Sequence, residues 1–142
     1  MSETPTVTDM MVAYAEDAIN MARMNFGVTL DYSEASIETV EACLAKLYDT
    51  RSKSLLRKLF RRGPTADEIR AAMMFGGYIG EVFRRHHGGA WLLAPAPGAA
   101  EPVVTLQSAS GSQLWPTAKV YQRLLHGPED DVWAYYWVIS AT

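Results

Sequence analysis

Residues 75–91 read Phe75-Gly-Gly-Tyr-Ile-Gly-Glu-Val-Phe-Arg-Arg-His-His-Gly-Gly-Ala-Trp91. Three glycines (Gly76, Gly77, Gly80) fall within five residues of an apolar pattern with helical period. A glycine in a helix interior costs about 1 kcal/mol relative to alanine. Three of them need an offset: either another element packed against the backbone, or a site. The end of the stretch reads as helix-terminal chemistry. Arg84, Arg85, His86 and His87 place positive charge at the negative end of the helix dipole, and Gly88-Gly89 stops the helix. Upstream, Thr65-Ala-Asp-Glu68 is a capping box, in which the threonine hydroxyl and the glutamate carboxylate satisfy free N–H groups reciprocally. The predicted helix therefore runs over about 66–87. One face carries Ile69, Ala72, Met73, Gly76, Ile79, Gly80 and Phe83.

Two further helices are expected before it. The first begins after Thr8, with Asp9 in its first turn, and runs to Phe26 on a stripe of Met11, Ala15, Ala18, Ile19, Ala22 and Phe26. Gly27 supplies the stop. The second is capped by Ser33, with Tyr32 and Ile37 at the staple positions, and continues through Val40, Leu44, Leu47 and Tyr48. Leu55, Leu56, Leu59 and Phe60 give residues 51–62 an apolar face, as a short helix or a continuation of the second, ended by Gly63-Pro64.

Beyond Gly89 the pattern changes to period two. Trp91–Leu93 reads as a strand, 94–102 as a Pro- and Gly-rich loop, and Val103–Gln107 as a second strand. Ser110-Gly-Ser112 turns the chain, and Leu114–Trp115 is a short third strand. Pro116 fits the first position of a helix carrying Val120, Tyr121, Leu124 and Leu125, stopped by Gly127. For residues 128–139 composition favours a strand, whereas Pro128 and the acids Glu129, Asp130 and Asp131 favour a helix start; the helix is preferred. The expected fold is α+β. It is a helix-rich single domain over 1–142, with about five helices and a small antiparallel hairpin or three-stranded sheet near residues 90–115; residues 1–7 are expected to be flexible.

Composition narrows the function classes. The chain has 142 residues, 49% of them hydrophobic, and a net charge of −3, values of an ordinary globular domain that argue against a nucleic-acid-binding protein. No apolar run is long enough to span a membrane, and the N-terminus lacks a signal-peptide pattern. The single Cys43 cannot form an internal disulfide and reads as a buried thiol; a cytoplasmic location fits. Charge is uneven. Residues 51–62 hold six bases (Arg51, Lys53, Arg57, Lys58, Arg61, Arg62) and no acid, whereas residues 1–50 hold nine acids and two bases. The basic run is a candidate for nucleic acid or an anionic surface, against the simpler view of a solvated face balanced by the acidic N-terminal half.

Catalytic signatures are scarce. Glu81 lacks a second carboxylate nearby in sequence, and its simplest role is a helix salt bridge to Arg84 or Arg85. His86 and His87 diverge on a helix, so they make a poor ligand pair, and the expectation is solvated histidines without metal or cofactor. Gly76-x-x-x-Gly80 lies inside a helix rather than before one, so it is no phosphate cradle. It reads as a packing notch against the second helix or the Trp91 strand. Trp91, Trp115, Trp133 and Trp137 should be mostly core, with one or two lining a groove.

Three segments together carry a resemblance: Leu30-Asp-Tyr-Ser-Glu-Ala-Ser36; Phe75-Gly-Gly-Tyr-Ile-Gly-Glu81 with Gly88-Gly-Ala-Trp91; and Trp115 through Asp131. They resemble a family of small bacterial proteins with the order LDYSxxS, GxYxGEVxRRxxGGxW and PxxKVxxRLxxGxED. The resemblance covers roughly residues 10–137. It implies a bacterial origin and a helix-rich fold with a central hairpin, and it transfers no catalytic residue. Small acidic domains of this kind include immunity proteins, which block a toxin by binding it. The expected function is a non-enzymatic binding protein, immunity- or antitoxin-like, with a protein partner. Its candidate contacts are Glu81, Arg84, Arg85, Trp91, Trp115 and the acidic edge Glu129, Asp130 and Asp131. The alternatives are a small-molecule or nucleotide site in the Gly76–Trp91 region, and anionic-surface binding through residues 51–62.

Overall fold

The computed structural model describes residues 6–52, 65–98 and 100–141, without the side chains of Arg51 and Ser52. The basic run 53–62 lies outside the described residues. Five α-helices and three strands are present among those described: α1 (Val7–Phe26), α2 (Ser36–Ser52), α3 (Ala66–His87), β1 (Ala90–Pro95), β2 (Pro102–Gln107), β3 (Gln113–Leu114), α4 (Pro116–His126) and α5 (Val132–Ser140). A 3₁₀ turn, Pro128–Asp130, precedes α5. The architecture is α+β and helix-rich, with one antiparallel sheet in the order β1-β2-β3.

The glycine-rich helix is the axis of the molecule. From Ala71 to Phe83 every residue of α3 except Met73 is buried, so the helix is wrapped on all sides rather than packed along one face. The three glycines serve three different neighbours. A Cβ on Gly77 would lie 3.1 Å from the Met11 carbonyl oxygen and 3.2 Å from the Tyr14 Cβ of α1. On Gly76 it would lie 2.5 Å from Cα and 2.7 Å from N of Thr117, the second residue of α4. On Gly80 it would lie 2.2 Å from the Trp91 ring. The notch against the Trp91 strand is therefore present, whereas the neighbour at Gly76 is α4, not α2. The buried face of α1 is mostly alanine (Ala15, Ala18, Ala22, with Met11), which lets the two helix axes approach closely.

Both predicted capping sites exist, one of them displaced. Thr65 and Glu68 form the capping box of α3. At α1 the box is Thr6 with Asp9, so the helix starts at Val7, ahead of the expected start after Thr8. Ser33 does accept from the Ser36 N–H, at 3.2 Å, but the turn it caps is tight, with the Ser36 N–H also reaching the Ser33 carbonyl, and the α-helix proper opens at Ser36. Asp131 caps α5 through the Ala134 N–H at 2.9 Å, and the acid-rich start selects helix for the last segment.

The sheet is a hairpin with a stub. Trp91 pairs with Leu106 and Pro95 with Pro102, so the predicted loop 94–102 shrinks: Ala94, Pro95 and Pro102 belong to the strands. Prolines are tolerated at such strand ends because no ladder donor is needed there. β3 holds only Gln113 and Leu114, opposite Gln107 and Leu106.

Candidate functional site

The Glu81 cluster is a closed latch. Glu81 is 0% exposed. Arg84 donates to it twice, Nε to Oε2 at 2.6 Å and Nη2 to Oε1 at 2.8 Å. Trp91 Nε1 donates to Oε2 at 2.9 Å. Arg85 stands at 3.7 Å. Burial acts to raise the carboxyl pKa, but the bonds from Arg84 and Trp91 and the two guanidinium charges outweigh it and hold it below the ordinary value. The helix salt bridge expected from sequence is thus made, but in the interior and with the indole as a third partner. The Trp91 ring fills the space left by Gly80, so glycine and glutamate act together to seat one tryptophan.

A second polar cluster ties the segment after α1 to the end of α3. Tyr32 has φ 63°, a left-handed backbone that a bulky residue adopts only when neighbours hold it. Its N–H donates to Tyr78 Oη at 2.8 Å, its carbonyl accepts from His86 Nε2 at 2.8 Å, and the Arg85 guanidinium lies 3.6 Å from its ring centre. Glu34 accepts from Tyr136 Oη at 2.5 Å and from His87 Nε2 at 2.8 Å. The two histidines are exposed at the end of α3, as expected, and also bond to the segment after α1. The Tyr136 and His87 bonds hold the Glu34 carboxyl below its ordinary value. The unfolded chain then takes up a proton near the ordinary value of 4.5, while the folded chain does so only at lower pH. Stability from Glu34 is present above that range and is lost as pH falls through the lowered folded value. Glu34→Gln should flatten this part of the acid unfolding curve, read as melting temperature against pH from neutral to acid; an unchanged profile would show that Glu34 carries none of it.

The acidic edge is internally spent. Asp130 accepts from Lys119 Nζ at 3.0 Å and faces His126 Nδ1 at 3.1 Å, Asp131 is the α5 cap, and Glu129 is exposed. His126, Glu129 and Asp130 can bring ligand atoms within 4.8 Å of one another, but the Lys119 ammonium already neutralises Asp130 where a cation would sit. Cys43 is buried, which pushes its thiol pKa up and fits a structural role.

A large concavity lies elsewhere. It is an open groove of about 500 Å³ between the first half of α3, the β1–β2 hairpin end and α4. Ile69, Ala72 and Met73 form one wall, Thr117, Ala118 and Tyr121 another, and Val103, Val104, Ala96 and Pro97 a third, with Trp115 at the junction. Trp115 is fixed by its Nε1, which donates to Thr105 Oγ1 at 3.2 Å. Among the described residues, no charged side chain lines the groove. Ile69, read from sequence on the apolar face of α3, is 49% exposed and part of this wall.

Of the residues singled out from sequence, Glu81, Arg84, Arg85 and Trp91 converge. Trp115 sits apart in the groove, and Glu129, Asp130 and Asp131 sit at the α4–α5 junction. Sequence reasoning missed the other groove residues. Ile69 and Met73 were visible only as members of an apolar helix face, and nothing local marks which members of such a face line a groove. No described helix is long and apolar enough to cross a membrane. Comparison of the chain with protein-family models, with curated proteins and with solved structures gives no match.

Proposed function

We propose that the chain is a non-enzymatic binding protein that seats an apolar segment of a protein partner in the groove between α3, the hairpin end and α4. The carrying observation is the groove: a wide, aromatic-floored concavity whose described lining is uncharged, with Trp115 pinned by a hydrogen bond. Buried aromatic anchors and preformed apolar pockets are what protein partners exploit. The tied state of Glu81, Glu34 and Asp130 supports the non-enzymatic part, since a general acid or base must be free to exchange a proton with a substrate. With the bacterial family resemblance, the role is that of an immunity- or antitoxin-like cytoplasmic protein. Ala118→Arg places a charge on the groove wall without touching the core. It should abolish recovery of the partner that the wild-type chain retains from a native lysate, with an unchanged melting temperature. Equal recovery by both would remove the groove from the account.

A second reading follows from the groove's size, which suits a small apolar ligand. Native mass spectrometry of the freshly purified chain distinguishes the two: a bound small molecule lost in Ala118→Arg favours the ligand, and a bare chain favours the protein partner.

A further inference from the structure

Among the described residues, the groove runs along an unpaired strand edge. Val103 and Val104 are adjacent in β2, so their side chains point to opposite faces of the sheet, yet both line the same groove. What faces the groove is therefore the edge of β2 and not one of its faces. The register says which backbone groups lie there. Leu106 pairs with Leu114 and Gln107 with Gln113, while the Ser108 N–H donates to the Ser112 carbonyl at 2.8 Å. In an antiparallel ladder the residues that exchange hydrogen bonds alternate, so Ser108, Leu106 and Val104 turn their N–H and C=O towards the β3 side, and Gln107, Thr105 and Val103 towards β1. The next bonded partner, opposite Val104, would be Pro116. Proline has no N–H, and Pro116 begins α4. β3 ends at Leu114, and among the described residues the Val104 N–H and C=O are left without a ladder partner beside an apolar cavity.

We propose that the groove takes its partner as an extended peptide segment that adds a strand to the open edge of β2 at Val104, with alternate apolar side chains entering the groove. This rests on the groove reading given above and specifies its mode. Strand addition draws affinity from main-chain hydrogen bonds and specificity from pockets for every second side chain; here the edge offers the Val104 N–H and the carbonyls of Val104 and Pro102, since Pro102 has no N–H, beside the apolar groove. A second copy of the chain fits poorly. Self-pairing about Val104 would set Pro102 against Leu106 of the other copy, whose backbone groups are already bonded to Leu114. A helical ligand would leave the Val104 groups unmatched.

The test pans a display library of random twelve-residue peptides against the full chain and remakes the enriched peptides with single N-methylated amides. Strand addition predicts that methylating alternate amides weakens binding tenfold or more, while the intervening positions tolerate it. It also predicts that Val104→Pro weakens the unmodified peptides by at least as much. The methylation arm leaves the protein unaltered, so it holds even if Val104→Pro fails to fold. Peptides that are lost on Ala118→Arg yet tolerate methylation at every position would overturn strand addition and leave the groove reading standing. No enriched peptide, or peptides indifferent to Ala118→Arg, would overturn both.

Discussion

Gly80→Leu should destabilise the chain by about 3 kcal/mol or more, and even Gly80→Ala should cost about 1–3 kcal/mol, the range for overpacking a well-filled interior. Alanine would ordinarily gain about 1 kcal/mol over glycine inside a helix. Here that gain is outweighed, because the first added carbon falls 2.2 Å from one Trp91 ring carbon and 2.3 Å from the next. The ring cannot swing aside cheaply. Its Nε1 is committed to Glu81, and Trp91 is 4% exposed on a strand paired to Leu106. The sign is therefore set by the neighbour and not by helix propensity. Trp91→Phe supplies the control: with the larger ring removed, Gly80→Ala should cost less than in the wild-type background. A double-mutant cycle by urea denaturation reads this as coupling between the two sites. Independent, additive effects would mean that the close approach is not what the glycine serves.

Glu41→Ala should be the most damaging single change to a polar residue. Arg123 is 2% exposed, and Glu41 receives its Nε at 2.8 Å and its Nη2 at 2.8 Å. The same carboxylate accepts the Val132 N–H at 3.1 Å, so it also satisfies a free donor at the start of α5. Arg123 Nη1 has no hydrogen-bond partner among the described residues, so Glu41 is the anchor that holds this guanidinium in place. Removing one partner of a buried pair leaves an uncompensated charge and costs about 3–5 kcal/mol. Replacing both, as Glu41→Leu with Arg123→Met, removes the charge as well as its partner and should recover much of the loss. If the double variant is less stable than Glu41→Ala alone, the pair is contributing more than mutual neutralisation.

These two sites show what a sequence carries and what it does not. The capping boxes, the proline at the start of α4 and the double-glycine stop of α3 are local. Each concerns backbone groups within a turn of the residue that marks it; the Thr65–Glu68 box, Pro116 and Gly88-Gly89 were readable in place, whereas the Thr6–Asp9 box of α1 was not. The notch at Gly80 was legible because glycine inside a helical pattern demands a neighbour. Its identity was half legible: Trp91 follows within eleven residues, whereas Thr117 at Gly76 depends on how the chain returns after the sheet. The Glu41–Arg123 pair spans 82 residues and left no local trace. The groove was the least legible part. It lies where β3 ends at Leu114, ahead of Pro116, an outcome of strand register, and where Ile69 and Met73 of α3 form a wall. His86 and His87 are exposed as expected, but their bonds were not legible, since the partners Tyr32 and Glu34 come from more than fifty residues earlier.

A competing apolar surface exists on α5, where Trp137 is 50% exposed beside Val138. It does not line the groove, so the two can be separated directly. A photo-cross-linking benzophenone side chain placed at Tyr121 in the groove, and in a second variant at Trp137, interrogates both surfaces in living cells. The account predicts a single defined protein adduct from Tyr121 that disappears when Ala118→Arg is added, and no such adduct from Trp137. An adduct from Trp137 alone would contradict the groove as the binding site.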